Sequence, residues 1–194
     1  MKVIIDNGHG VDTHGKRSPK WADGSQLFEW EFNRDIAKRL AKALKSKGVE
    51  SVLIVPEQTD VELSERVRRV NEIYRRNPGS FLVSIHANAG GGTGWEVFTS
   101  VGETRSDDIA ECFVKSAEKL LPWMNIRKDM TDGDGDKEAQ FYVLKHTHCP
   151  AVLTENLFMD TVEDCRFIMS EKGRQVITDL HVEAILMAIN KGYA

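Results

Sequence analysis

The chain predicts an α/β fold, a single domain with a mostly parallel, mixed six-stranded sheet flanked by about five helices, and three observations carry that expectation. Short apolar runs alternate with amphipathic helical stretches, the pattern of a sheet covered by helices. Three of these runs end on residues able to do chemistry: residues 2–6 lead into Asn7-Gly8-His9-Gly10, residues 80–90 carry His86, and residues 151–154 lead into Glu155-Asn156. The 194 residues, 41% hydrophobic and without low-complexity tracts, suit one core and hence one domain over residues 1–194. In open α/β sheets ligands gather beyond the carboxyl ends of the strands, so His9, His86 and Glu155 are expected at one edge.

After the first strand, residues 11–26 form a polar excursion containing Trp21, long enough to suggest a functional loop. A helix follows over residues 27–47, with Phe32, Ile36, Leu40 and Leu44 on one stripe and Gly48 just past its end. Glu29 falls in register with Phe32, Asn33, Ile36 and Leu40, whereas Glu31, Asp35 and Lys38 share the opposite face. Glu29 therefore points inward and needs a cation, hydrogen-bond donors or a metal, because an unpaired buried carboxylate is costly.

Residues 51–56 read as a second strand, and Thr59 to Glu62 as a capping box before a helix with Leu63, Val67, Val70 and Tyr74 inward. The His86 strand is bounded by Pro78-Gly79 and Gly90-Gly91-Gly92, and residues 94–99 form the next strand. Ser106-Asp107-Asp108 opens a helix that Pro122 ends, its early acids suiting the positive end of the dipole. A second excursion spans residues 123–140. Its Asp132-Gly133-Asp134-Gly135-Asp136 run lacks the glutamate and glycine positions of a calcium loop and reads as a solvated turn. Residues 141–145 and 151–155 are the last two strands, and Thr161 and Ser170 cap a short helix and a long final one.

With 26 basic and 30 acidic residues, net −4, there is no basic footprint, so nucleic acid and anionic membrane surfaces are excluded as expected partners. Cys112, Cys149 and Cys165 are widely spaced and read as core thiols rather than a disulfide or zinc–thiolate framework. The amino terminus is too short in apolar residues for a signal peptide or membrane span, so synthesis in the cytoplasm without a signal peptide is expected.

Hydrolytic zinc is commonly held by three ligands from His, Asp and Glu, with a fourth position for water. His9, Glu29 and His86 supply such a set: one after a strand between glycines, one in the first turn of the adjacent helix, one at the end of the central strand. Hydrogen-bonded loop histidines and a salt-bridged glutamate account for the same residues, and the residues alone leave both readings open. Glu155 could serve as the acid and base beside such a metal, or pair with an arginine such as Arg66.

The ordered set Val3-Ile4-Ile5-Asp6-Asn7-Gly8-His9-Gly10, Glu29-x-x-x-Asn33, Leu63-x-x-Arg66, Ser84-Ile85-His86-Ala87-Asn88, Gly94-Trp95-Glu96-Val97 and Pro150 to Asn156 resembles the zinc-dependent N-acetylmuramoyl-L-alanine amidases of the third amidase family across almost the whole chain. The resemblance implies one zinc ion on His9, Glu29 and His86, Glu155 as catalytic acid, and hydrolysis of the amide between N-acetylmuramic acid and L-alanine in bacterial peptidoglycan. It also implies degradation of cell wall as an endolysin or autolysin, reaching the wall by endolysin-like release; a monomer is expected. Asn7 stands where the family usually has proline, and Leu157 where a glycine is common. Asn88, Trp21 and Trp123 are candidate substrate contacts, although either tryptophan could equally anchor the core.

Two other readings stay open: a cytoplasmic zinc amidohydrolase or peptidase on soluble muropeptides, and a non-catalytic wall-binding module. The retained Glu155 argues against the latter. No G-x-S-x-G elbow appears, and Gly8-His9-Gly10 lacks the third glycine of a dinucleotide fingerprint. His14, His146, His148 and His181 are without an assigned role; His146-Thr147-His148 reads as an exposed turn in preference to a secondary metal contact.

Overall fold

The computed structural model describes residues 1–131 and 133–193. The elements run β1 (Val3–Asn7), α1 (Glu29–Ser46), β2 (Ser51–Leu53), α2 (Leu63–Arg76), β3 (Phe81–Asn88), β4 (Glu96–Thr99), α3 (Arg105–Leu120), β5 (Lys137–Glu138), α4 (Tyr142–His146), β6 (Ala151–Phe158), α5 (Val162–Met169) and α6 (Glu171–Asn190). One six-stranded sheet has the order β2-β1-β3-β6-β4-β5. β2, β1, β3 and β6 pair in parallel; β4 runs antiparallel to β6, and β5 parallel to β4.

Strand periodicity distributes the core to both faces of the sheet. Val3, Ile5, Phe81, Val83, Ile85 and Val152 join Phe32, Ile36 and Leu40 of α1, Phe113 of α3 and Ile177 and Leu180 of α6 in one apolar cluster. Ile4, Leu82, Ala151 and Leu153 join Val67 and Val70 of α2 and Val143 and Leu144 of α4 in a second. The result is three layers, with α1, α3, α5 and α6 on one side and α2 and α4 on the other.

Several expectations are corrected. Residues 141–145 are not a strand: Phe141 precedes α4 and residues 142–145 lie in it, and the sixth strand is the short β5 inside the second polar excursion. An apolar run of four residues cannot tell the two apart: Val143 and Leu144 are buried while Phe141 and Tyr142 are exposed, the two-and-two pattern of a helical turn. Among the described residues six helices form rather than about five. Thr59 to Glu62 does not cap α2, which starts after Glu62 without a side-chain cap; Asp60 instead bonds Arg66. Leu63 is exposed. α3 starts earlier than expected, with Thr104 capping it by accepting from Ser106 N and Asp107 completing a capping box. Ser170 caps α6 through Gly173 N, but the Thr161 hydroxyl bonds the Gly92 carbonyl and not the α5 backbone.

The aspartate-rich turn is not wholly solvated either. Asp132 lies outside the described residues, and Asp136 is buried with Oδ2 accepting from the Thr99 hydroxyl at 2.6 Å. The cause is β5, which draws the end of the turn against the sheet edge. Gly48 ends α1 at φ 75°, a left-handed position that glycine adopts without strain. All three cysteines are free and buried, as expected. No helix among the described residues is long and apolar enough to cross a membrane.

Candidate metal centre and active site

The carboxyl ends of β1, β3 and β6 and the amino end of α1 meet over one cleft of about 310 Å³, lined among others by Gly8, His9, Lys16, Arg66, His86, Phe141, Tyr142, Leu153 and Glu155. His86 follows Leu82 and Ser84 on one face of β3, and Glu155 follows Ala151 and Leu153 on the same face of β6, so strand parity aims both toward the α2 side.

Glu29 is 1% exposed, as its place on the α1 stripe predicts, and Glu31 is exposed. Glu29 Oε1 lies 3.1 Å from His86 Nδ1 and 3.2 Å from His9 Nε2. It also accepts from the Ala87 backbone N–H at 3.3 Å. The two imidazoles stand edge to face, 5.0 Å between centroids. Burial pushes the Glu29 carboxyl up, but hydrogen bonding to His86 and His9 outweighs it and holds the group well below the usual carboxylate range. Burial likewise opposes charge on His86, and the facing Glu29 wins, raising that imidazole.

One atom of each of His9, Glu29 and His86 falls within 4.8 Å of the others, close enough for a shared cation. A second observation fits a metal better than a closed hydrogen-bond cluster. Glu29 Oε2 is buried without a hydrogen-bond partner, a costly condition that a coordinated cation removes. The donor set of two imidazoles and a carboxylate matches catalytic zinc sites, and its spacing in sequence is bridged by the fold alone.

The supporting shell is rigid. His9 adopts φ 64°, a strained conformation for a side-chain-bearing residue, and Arg34 Nη1 fixes it by donating to the His9 carbonyl at 2.7 Å. Asn33 Nδ2 donates to the Gly8 carbonyl at 3.1 Å. Gly8 cannot carry a side chain, because a Cβ there would stand 2.0 Å from His86 Cε1. Asn156 Nδ2 donates to the His86 carbonyl at 2.9 Å and Asn156 Oδ1 accepts from Trp95 Nε1 at 3.0 Å.

Glu155 faces His86 across the parallel pair and Glu96 across the antiparallel one. Its Oε2 is buried without a hydrogen-bond partner. Burial raises the carboxyl to about 7, with His86 pulling the other way. Arg66, considered as its partner, is engaged elsewhere. It is buried and donates to Asp6 Oδ1 at 2.5 Å, the Asn7 carbonyl at 2.9 Å, Asp60 Oδ1 at 2.8 Å and the Val61 carbonyl at 2.8 Å. Asp6 Oδ2 in turn accepts from Ser84 Oγ at 2.7 Å, tying β1 to β3 beneath the site.

Other candidates stand elsewhere. Asn88 does not line the cleft; its Nδ2 donates to Glu96 Oε1 and its Oδ1 accepts from Ala89 N. Trp21 packs on the core with Nε1 toward Cys165 Sγ, and Trp123 is exposed with its ring edge-on to Phe167, so neither tryptophan lines the cleft. His146 and His148 are exposed, and His181 is fully buried. Sequence reasoning missed Lys16, the Asp6–Arg66–Asp60 network and the role of Asn156. Arg66 was named from the sequence, with Glu155 as its acid; its partners are instead Asp6 and Asp60.

At position 7, where the family usually has proline, Asn7 donates from Nδ2 to the Val55 carbonyl at 3.2 Å. Leu157 is buried at φ 66°, a left-handed backbone that glycine adopts without strain.

Comparison with known proteins agrees with this geometry. The family profile described as N-acetylmuramoyl-L-alanine amidase matches residues 3–187. The sporulation-specific N-acetylmuramoyl-L-alanine amidase of Bacillus subtilis is 31% identical over 98% of this chain and 69% of its own length. An endolysin of Bacillus phage SPP1 is 29% identical over 97% of this chain and 66% of its own length. The crystal structure of an N-acetylmuramoyl-L-alanine amidase from Clostridium difficile 630 superposes with a TM-score of 0.84 at 27% identity, covering 97% of this chain and 96% of that one. With a profile match over nearly its full length and a metal-ready cleft at the strand ends, the chain belongs to the third amidase family, the N-acetylmuramoyl-L-alanine amidases.

Proposed function

We propose that this chain, as one catalytic domain over residues 1–194, hydrolyses the amide between the lactyl group of N-acetylmuramic acid and L-alanine in peptidoglycan, with one zinc ion on His9, Glu29 and His86. The observation that carries the reading is the placement of Glu155 on the strand next to His86, lining the same cleft with a buried, unpartnered carboxylate oxygen. Zinc, when bound, supplies a Lewis acid for the scissile carbonyl and lowers the pKa of water.

The chain's own residues do the rest. Glu155 takes the proton of the attacking water and delivers it to the departing alanine nitrogen, so one carboxyl acts first as base and then as acid. Its raised pKa suits the second role, and a bound cation acts in the opposite direction to suit the first. The Arg34 and Asn33 hydrogen bonds hold His9 and Gly8 so that the ligand set need not reorganise.

The likeness to the phage SPP1 endolysin supports action on the bacterial cell wall. Incubation of the protein with intact peptidoglycan and with soluble muropeptides, with and without chelator, tests all of this by mass spectrometry. Free stem peptides and peptide-free glycan from intact wall are expected, and chelator should stop their release. Release from soluble fragments alone would favour the muropeptide amidohydrolase, and no release the non-catalytic module.

A further inference from the structure

We propose that Lys16 is the residue that reads the anionic group next to the scissile bond, making this cleft selective for a stem peptide whose second residue keeps a free α-carboxylate. The inference rests on the amidase reading above and deepens it.

Two cationic side chains line the cleft, Lys16 and Arg66. Arg66 is spent on Asp6, Asp60 and two carbonyls. Lys16 is not: its side chain is 46% exposed, and its ammonium is 3.9 Å from Glu29 Oε2, beyond hydrogen-bond length. Its position is nonetheless fixed. The Lys16 carbonyl accepts from Glu29 N at 3.0 Å, Arg17 and Phe28 form an antiparallel bridge, and Ser18 N donates to the Leu27 carbonyl at 2.9 Å. The long first loop thus returns on itself to hold one unspent positive charge beside the ligand cluster.

A cation on His9, Glu29 and His86 would satisfy Glu29 and repel the ammonium, leaving Lys16 to turn to an anion entering the cleft. The substrate offers one. In peptidoglycan the residue after L-alanine is D-glutamate joined through its side chain, so an α-carboxylate stands one residue from the scissile amide, about 3.5 Å of chain. In some walls that group is a neutral carboxamide. A lysine reading it at a partly exposed position should discriminate about three- to fivefold.

The test compares two glycan–peptide oligomers that differ only in carboxylate or carboxamide at that position, using the zinc-loaded full chain. Wild-type protein should favour the carboxylate about three- to fivefold in kcat/KM, mainly through KM. Lys16→Met should bring the ratio toward one, Lys16→Arg should keep most of it, and zinc content should stay at one ion per chain in both variants. Equal cleavage by wild type, loss of zinc in Lys16→Met, or an equal fall of kcat on both oligomers in that variant would each overturn the inference. Failure of wild type to cleave either oligomer would instead overturn the amidase reading.

Discussion

His86 and Glu155 stand opposite each other on neighbouring parallel strands, so the separation between the proposed metal ligand and the proposed proton carrier is set by the sheet and not by loop conformation. On its other side Glu155 is opposite Glu96, whose carboxylate is held by Arg127 at 2.9 Å and Lys137 at 2.5 Å. Glu155→Gln keeps the shape and removes the proton carrier. Turnover of intact wall should fall about 10²- to 10⁴-fold while zinc content by mass spectrometry stays unchanged. A Gln variant that lost its zinc would show Glu155 to be part of the metal site instead.

The orphaned Glu29 Oε2 makes a prediction about stability. Saturating zinc should raise the melting temperature of the wild-type protein, because an ion that binds only the folded chain stabilises it by mass action, about 4 kcal/mol at a thousandfold excess over Kd. Glu29→Gln should abolish most of that shift. Scanning calorimetry with zinc and with chelator measures both.

Gly8→Ala is a sharper probe than any ligand substitution, since it alters no donor atom. The new methyl group would overlap His86 at 2.0 Å and push the ring off its position, while the opposite face of the sheet stays intact. Zinc affinity should drop by about ten- to a hundredfold, the range seen when ligand positioning is disturbed, with little change in far-ultraviolet circular dichroism. Competition with a chromogenic chelator reads the affinity.

Much of this centre was legible because its residues break the local pattern. Glu29 interrupts an apolar stripe, and His9 and His86 end apolar runs, so each demanded a polar explanation. The α4 segment was not legible, since five residues carry too little periodicity to separate a helical turn from a strand. Lys16 was hidden for another reason: it sits in a polar loop, and contacts between that loop and the start of α1, Lys16–Glu29, Arg17–Phe28 and Ser18–Leu27, bring it to the cleft.

His181 gives the pH dependence. It is fully buried between the Ile177 carbonyl, 2.8 Å from Nδ1, and Thr154 Oγ1, 2.9 Å from Nε2, and burial lowers its pKa to about 4. In the unfolded chain it protonates near 6.5, so between roughly pH 6.5 and 4 the unfolded state binds more protons. Its stabilising contribution is therefore full above pH 6.5 and is lost as pH falls toward 4, roughly 3 kcal/mol in all. Denaturant titrations from pH 7 to 4 should show a shallower loss for His181→Gln than for wild type; parallel slopes would exclude this histidine as a source.

The wall of the cleft formed by Phe141 and Tyr142 is anchored from outside. Asn71 of α2 donates from Nδ2 to the His146 carbonyl at 3.2 Å and accepts at Oδ1 from His148 N at 2.8 Å, clamping the end of α4. The wall of the opening is thus held by a half-buried amide that is not part of the proposed metal and proton-transfer residues. A change at Asn71 would therefore act on the fit of the polymer through α4, leaving His9, Glu29, His86 and Glu155 untouched.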